Sequence, residues 1–287
     1  MPQSLAPADL VNLDRYPIDG LATARGKALV ELCRADMASE GGVNLQGFLR
    51  PWAIEALCAE ALSLLPQAYL KVARRNVYGT PIDPSWPEDH PGRRMLMAEG
   101  TNSQIAYDQI PGTAGIRRLY LWDRLMAFIA AVLDRPRIHP FADPFQALNL
   151  IYEYKGAGTP WHFDGSAFNV TLLLKEPLAG GIFEYMPFIK SDDEPNLSGI
   201  RRVLDGDQSG VRAPERRAST LTIFSGEHSL HRVTPVAGDE TRISAVLTYD
   251  ERPDRVDSDQ SNIRIYGPRV AAIIARRERA DHDHAGA

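Results

Sequence analysis

Cysteine is scarce in this chain of 287 residues, which contains only Cys33 and Cys58. Two cysteines exclude the framework of several disulfide bonds that stabilises small secreted proteins, although they leave room for one bond. Such low cysteine usage fits a reducing compartment. Residues 1–20 also lack the basic start and the continuous apolar stretch of a signal peptide. We therefore expect a cytoplasmic protein.

Long apolar runs and an excess of positive charge are missing as well. No stretch of about eighteen apolar residues occurs, so we expect no membrane span and no membrane partner. The net charge of -5 and the pI near 5.8 argue against a nucleic-acid polymer as a partner. With 44% hydrophobic and 24% charged residues, the composition is that of a globular protein, and we expect one domain over residues 1–287. Composition leaves the oligomeric state open.

Helical periodicity dominates residues 1–145. Apolar residues recur with a spacing near 3.6 in 20–38, and the proline at the start of 51–65 fits the first turn of a second helix. Another helix is predicted over 116–133. Residues 76–115 are rich in proline, glycine and aspartate, which predicts a long irregular stretch of the kind that forms lids or binding loops.

Short apolar segments separated by glycine, proline and acidic residues follow in residues 146–250. Strands are predicted over residues 146–154, 168–174, 181–187, 219–224, 230–236 and 241–249. Many short strands with turns between them are typical of a sandwich or a jelly roll. We therefore predict a mainly β fold with α additions, a double-stranded β-helix (jelly roll) with flanking N-terminal helices. Residues 251–287 would form a C-terminal extension.

His162 and Asp164 are the first two members of a candidate metal site. Residues two apart in an extended strand place their side chains on one face, about 6.6 Å apart along the backbone, so both can reach one ion. His231, in a later predicted strand, is the candidate third ligand. Two imidazoles and one carboxylate on a β scaffold form the facial triad that binds Fe(II) and leaves other metal positions open.

Arg242 and Ser244 are the candidate ligands of a dicarboxylate. Residues 237–240 are interpreted as a four-residue turn, which would pair Pro235 with Arg242. Arg242 would then share the face of His231, about 13 Å away along the strand. Ser244 falls on the same face. Arginine suits this task because its planar guanidinium donates to a carboxylate at two points.

The same five residues resemble the pattern of the iron- and 2-oxoglutarate-dependent dioxygenases. The matching motifs are His162-x-Asp164, His231 and Arg242-x-Ser244. The flanks GGIFEYMP at 180–187 and FSGEHSLHRVTPVAGDETRIS at 224–244 are similar to the branch that contains the free-amino-acid halogenases and their hydroxylase relatives. The resemblance covers about residues 145–250.

This resemblance implies an enzyme with Fe(II) as cofactor, 2-oxoglutarate as co-substrate and O2 as oxidant. His162, Asp164 and His231 would bind the metal, while Arg242 and Ser244 would hold the distal carboxylate of 2-oxoglutarate. No catalytic side chain beyond the metal ligands is implied. The co-substrate would leave as succinate and CO2 while a C–H bond of the substrate is oxidised.

The residue at the position of Asp164 distinguishes two reactions within that branch. Halogenating members carry glycine in place of this carboxylate, which opens a metal position for chloride. The carboxylate implies hydroxylation of an unactivated C–H bond, or another oxidation such as desaturation, and not halogenation. The preferred substrate is a small polar metabolite, an amino acid or a derivative. The alternatives are a nucleoside, a peptide or a carrier-tethered intermediate, and a binding module that has lost activity.

Further polar residues are candidates for ligand contacts. Tyr152 and Tyr154 lie on the strand before the motif and share a face, and the resemblance implies that either could bond the co-substrate. His228, three residues before His231, has the opposite strand parity or lies in the preceding turn, which favours a surface or structural role. A further set of six polar residues lies in or near the irregular stretch, and for most of them we expect a loop-stabilising role and not substrate contact. That group is Arg74, Arg75, Asn76, Tyr78, Arg93 and Arg94.

Overall fold

The computed structural model describes the backbone of residues 6–285 and the side chains of residues 6–280. Within this range the α-helices are α1 (Pro7–Leu10), α2 (Ala24–Glu40), α3 (Pro51–Leu64), α4 (Gly115–Tyr120), α5 (Asp123–Val132), α6 (Leu197–Leu204), α7 (Asp259–Tyr266) and α8 (Pro268–Ala285). The strands are β1 (Gly42–Leu45), β2 (Tyr69–Arg75), β3 (Leu96–Ile105), β4 (His139–Pro140), β5 (Leu148–Glu153), β6 (Thr159–His162), β7 (Asn169–Lys175), β8 (Ala179–Gly180), β9 (Phe183–Met186), β10 (Leu221–Phe224), β11 (Leu230–Val233), β12 (Val236–Ala237), β13 (Arg242–Leu247) and β14 (Tyr249–Asp250).

Two antiparallel sheets organise these strands. The larger sheet has seven strands in the order β1-β10-β7-β13-β5-β3-β2, and the smaller has three in the order β6-β11-β9. Two further strand pairs, β12-β8 and β14-β4, flank them. Across the gap between the two sheets, the ring of Phe183 in β9 contacts the ring of Phe224 in β10, with centroids 5.1 Å apart. The predicted combination of antiparallel sheet and helices is therefore confirmed.

The two faces of the seven-stranded sheet differ, because successive side chains in a strand point to opposite sides. On one face, Leu150 and Tyr152 of β5 and Ile243 of β13 join a core with residues of α2, α3, α4 and α5. The opposite face looks toward the small sheet and carries polar side chains together with apolar ones such as Phe224. There Thr222 donates a hydrogen bond of 2.7 Å to Asn44. The helices thus cover one face and leave the other for the site.

Two predictions about elements need correction. The helix predicted over 116–133 is two helices, because the backbone of Trp122 is extended between α4 and α5. The stretch 76–115 was predicted to be irregular, but it contains β3, which pairs with β2 and β5. Its sequence LMAEGTNSQI is polar and contains Gly100, so it shows none of the apolar alternation by which a strand is recognised.

Among the helices of the described residues, none is both long enough and apolar enough to cross a membrane.

Candidate metal centre

Three possible metal ligands converge at one edge of the small sheet. His162 ends β6 and pairs directly with His231 of β11, and their ring centroids lie 4.0 Å apart. Asp164 follows two residues after the strand end. Its Oδ2 lies 3.0 Å from Nε2 of His231, and its Oδ1 lies 3.5 Å from Nε2 of His162. The three ligand atoms all lie within 4.8 Å of one another, so one ion can bind all three side chains.

Backbone carbonyls orient the two histidine rings so that both Nε2 atoms point to Asp164. Nδ1 of His162 lies 2.8 Å from the carbonyl oxygen of Pro160, and Nδ1 of His231 lies 2.9 Å from that of Ser229. A carbonyl only accepts, so each Nδ1 carries the proton. Burial, aided by a nearby guanidinium and by His231, lowers the pKa of His162 to about 3, so this ring is neutral. Two imidazoles and one carboxylate that converge in this way are a donor set that fits Fe(II).

Asp164 is fixed by the loops around it. Its backbone N–H donates to the carbonyl of Gly226 over 3.0 Å, and the side-chain amide of Asn169 donates to its Oδ2. A Cβ at position 226 would overlap the carboxylate, so only glycine fits there. Burial raises the pKa of Asp164, but His231 and His162 outweigh this effect and hold it well below its usual value. The carboxylate is therefore ionised and positioned before any ligand binds.

The predicted hairpin that would place Arg242 beside His231 is wrong. Strand β11 pairs with β6 and β9, whereas β13 lies in the other sheet between β5 and β7. Between them, β12 pairs with β8 and carries the chain from the small sheet to the large one. Arg242 and Ser244 nevertheless share a face of β13, and Nη1 of Arg242 donates to Oγ of Ser244 over 3.2 Å. Both side chains are buried.

Glu153 is a member of the site that sequence reasoning missed. It lies opposite Arg242 in the strand register, is only 1% exposed, and its Oε2 accepts from Nη1 of Arg242 over 2.5 Å. Its Oε1 accepts from Oγ1 of Thr159 over 3.2 Å. One signal could have found it: an acidic residue in the apolar strand 148–153 must have a partner if it is buried.

Comparison with known protein families identifies the family of this chain. The model of the family described as Halogenase D matches residues 26–264, more than half of the chain. The chain belongs to the Halogenase D family. No curated protein matches its sequence. The predicted kinship with halogenases among the iron- and 2-oxoglutarate-dependent oxygenases is thereby confirmed.

Several solved structures share the fold of this Halogenase D family member. The non-heme alpha ketoglutarate dependent epimerase SnoN from nogalamycin biosynthesis is 18% identical, with a TM-score of 0.54 over 78% of this chain and 83% of that one. AviO1 from Streptomyces viridochromogenes Tue57 is 19% identical, with a TM-score of 0.52 over 78% and 97%. An oxidoreductase of the 2OG-Fe(II) oxygenase family from Burkholderia pseudomallei is 14% identical, with a TM-score of 0.50 over 79% and 92%. Identities this low show a shared fold. Family and fold together place this chain among the iron- and 2-oxoglutarate-dependent oxygenases.

Both candidate tyrosines of this Halogenase D family member lie on the helix side of the large sheet. Tyr152 is fully buried, and its hydroxyl donates to the carbonyl of Ala61 in α3 over 2.6 Å. Tyr154 packs against the same core, and its hydroxyl lies 3.1 Å from Oγ of Ser103. Glu153, between them, faces the other side. The prediction that one tyrosine bonds the co-substrate is corrected, because strand alternation turns both away from Arg242.

Among the six polar candidates near the irregular stretch, Arg75 and Tyr78 contact Phe163, which lies between the candidate ligands His162 and Asp164. Nη2 of Arg75 donates to the carbonyl of Phe163, which precedes Asp164, over 3.2 Å. Burial lowers the pKa of Arg75, and the nearby carboxylate of Asp164 partly offsets this effect. The ring of Tyr78 stacks on Phe163 with centroids 5.8 Å apart. Arg75 therefore lies beside the candidate metal position, whereas Tyr78 packs with Phe163, Trp161 and Leu230 in a separate apolar cluster.

The other four candidates stabilise loops or face solvent. Arg74 is exposed on β2. Asn76 and Arg93 each donate to backbone carbonyls of the loop between β2 and β3. Arg94 forms an ion pair of 2.8 Å with Asp205 at the end of α6. This placement fits the loop-stabilising role.

His228 lies in the turn before β11 and is not part of the group formed by His162, Asp164 and His231. Its Nε2 lies 3.1 Å from Oδ1 of the exposed Asp192. The placement fits the predicted surface role.

Proposed function

We propose that this chain is an Fe(II)- and 2-oxoglutarate-dependent oxygenase that hydroxylates an unactivated C–H bond of a small polar metabolite, an amino acid or a derivative. The observation that carries the proposal is the carboxylate of Asp164 beside His162 and His231, within a chain of the Halogenase D family. Iron bound there would supply O2 activation coupled to the oxidation of 2-oxoglutarate.

The protein's own part in this chemistry is to present ligands in a fixed geometry. The hydrogen bonds from Nδ1 to backbone carbonyls orient both imidazoles toward one point. Arg242 and Ser244 would hold the distal carboxylate of 2-oxoglutarate, since the guanidinium and the hydroxyl lie side by side on the face of the large sheet that looks toward the small sheet, where both are buried.

The presence of Asp164 supports oxygen transfer over halogenation. A halide needs a metal position of its own, and here a carboxylate is held at that position by Asn169 and by the close approach of Gly226. The amide of Asn169 and the space left by Gly226 thus both accommodate the carboxylate at this position. We therefore propose hydroxylation as the reaction.

Unpaired polar atoms of Arg75, which is close to Asp164, and of Asn102, which lies opposite Glu153, support a polar substrate. Nε of Arg75 and Oδ1 of Asn102 are buried without a hydrogen-bond partner. Lys71, which pairs with Asn102 in the strand register, is half-buried and donates to the carbonyl of Ile265 over 3.3 Å. A buried donor or acceptor without a partner is costly, so a ligand that fills these positions would be favoured. An anionic group for Arg75 and a donor for Asn102 match an amino acid.

The architecture fits this assignment. We propose that the two facing sheets form a double-stranded β-helix, and that residues 1–287 are one domain in which the helices of 1–145 cover residues 146–250. The core shared by α2 to α5 and the large sheet supports this proposal. A cytoplasmic location stays a prediction from composition.

The test is an anaerobic absorption titration with Fe(II) and 2-oxoglutarate. We expect a weak visible charge-transfer band, a shift of that band when an amino acid substrate is added, and succinate formation in air. The control is Asp164→Ala, in which the band should be lost. A wild-type protein without the band would overturn the proposal, and a chlorinated product formed in the presence of chloride would overturn the hydroxylase assignment. A band shift with peptides or nucleosides alone would redirect the substrate class.

A further inference from the structure

Arg216 reaches into the space between the two sheets from the segment that links α6 to β10. Its Nη2 donates to Oγ1 of Thr171 in β7 over 2.9 Å. Its Cζ lies 5.0 Å from the ring centroid of Phe183, and that ring lies 6.0 Å from the ring of His231. The distance from Cζ of Arg216 to the centre of the His231 ring is therefore at most the sum of these two distances. Neither the sequence motifs nor the proposed function gives it a role.

Arg216, Arg242 and Glu153 form one charged group, which we call the interior charge trio. Arg242 contacts Glu153 directly. Burial lowers the pKa of Arg216 to about 9, repulsion by Arg242 adds to this effect, and attraction by Glu153 opposes it. Both arginines stay protonated at neutral pH, so two positive charges share one negative charge in the interior. An uncompensated buried charge is unfavourable, and the trio is therefore one anion short.

The trio also contains hydrogen-bond donors without a partner. Nε of Arg216 and Nε of Arg242 are buried and have no hydrogen-bond partner among the described residues. Thr171, which holds Arg216, lies diagonally across β7 and β13 from Ser244, since Leu173 is opposite Ser244 and Thr171 is two residues along. Diagonal neighbours on one sheet face are about 7–8 Å apart, so long side chains from both can meet one ligand.

We propose that Arg216 and Arg242 together bind the distal carboxylate of the co-substrate, and that Arg216 sets the selectivity for 2-oxo dicarboxylates over 2-oxo monoacids. This inference rests on the proposed function. Charge balance supports it: the keto acid end would neutralise a divalent metal together with Asp164, and the distal carboxylate would neutralise the trio. Two guanidinium groups, one from strand β13 and one from a loop, then enclose the carboxylate between the sheets.

The experiment compares the affinity of the iron-loaded protein for 2-oxoglutarate and for 2-oxopentanoate, which lacks the distal carboxylate. Anaerobic titration of the charge-transfer band gives both values without turnover. In Arg216→Met we expect the affinity for 2-oxoglutarate to fall about 10- to 100-fold, the range for a lost charged hydrogen bond, while that for 2-oxopentanoate is unchanged. The matched control is Arg217→Met, since Arg217 is exposed and pairs with Glu176 and Glu215.

Each outcome of this comparison decides the inference. If Arg216→Met left the ratio of the two affinities at the wild-type value, with or without an equal loss for both ligands, Arg216 would not set the selectivity. The proposed function would still stand in that case. Absence of the band in the wild type would overturn both. If Arg216→Met does not fold, Arg216→Lys keeps the charge without the planar fork, and the affinity ratio must still fall in that variant.

Discussion

Replacement of Glu153 by glutamine tests whether the interior charge trio is a unit. Glutamine keeps the shape of the side chain and can still accept from Thr159, but it removes the only negative charge of the trio. Arg242 and Arg216 would then face each other in the interior without a counter-ion. Glu153→Gln therefore isolates the electrostatic contribution of this residue.

The expected loss of stability is large because the group is buried. Glu153 is 1% exposed, and its Oε2 lies 2.5 Å from Arg242. Removal of one partner from a buried ion pair typically lowers the free energy of unfolding by about 3–5 kcal/mol. Urea denaturation of the wild type and of Glu153→Gln, both without metal and co-substrate, measures this difference.

Addition of Fe(II) and 2-oxoglutarate under nitrogen should reduce the deficit. The distal carboxylate would supply the missing negative charge, so the stabilisation by the ligand should be larger in Glu153→Gln than in the wild type. Glu184→Gln is the control, because Glu184 pairs with Arg232 over 2.7 Å in a partly exposed position, where the loss should stay below about 1 kcal/mol. If Glu153→Gln were as stable as this control and its response to 2-oxoglutarate were unchanged, the reasoning about the trio would be refuted.

Further predictions address the core and the titrating groups. Tyr152→Phe loses the hydrogen bond to Ala61, so the free energy of unfolding should fall by about 1 kcal/mol in urea while the affinity for 2-oxoglutarate, read from the charge-transfer band, stays at the wild-type value. Burial raises the pKa of the Cys33 thiol to about 12, so mass spectrometry should show a thiol reagent modifying the less buried Cys58 first. Burial and two neighbouring guanidinium groups lower the pKa of Lys71 to about 8, so above that pH the unfolded chain binds more protons than the folded one and the contribution of this residue to stability rises with pH. Lys71→Met should remove that rise in urea denaturation between about pH 7 and about pH 10.

Local spacing made the convergence of two candidate metal ligands predictable. His162 and Asp164 are two residues apart in extended chain, so their side chains can reach one ion whatever the rest of the fold does. The position of Arg242 was predicted from a hairpin that does not exist, because the partner of a strand is a long-range property. Its shared face with Ser244 follows from alternation within one strand, and this part of the prediction agrees with the structure.

The faces of β5 show the same division. Alternation along the strand separates Tyr152 and Tyr154 from Glu153, and the sequence alone predicts that much. Which face meets the helices and which meets the small sheet depends on residues far away, such as Ala61 in α3 and Arg242 in β13. The resemblance pointed to the tyrosines, whereas packing shows that the buried carboxylate faces the site.

By itself, the sequence determined the reaction class, because the chemistry of iron needs particular side chains at short spacings that a linear chain displays. Only the tertiary structure decided what surrounds them. Arg216 and Glu153 are 63 positions apart in the sequence, and Arg242 lies beyond both. The local sequence does not predict that these three charged side chains, one from a loop and two from strands, are buried together. Burial and Coulomb energy depend on distance in space and not on distance along the chain.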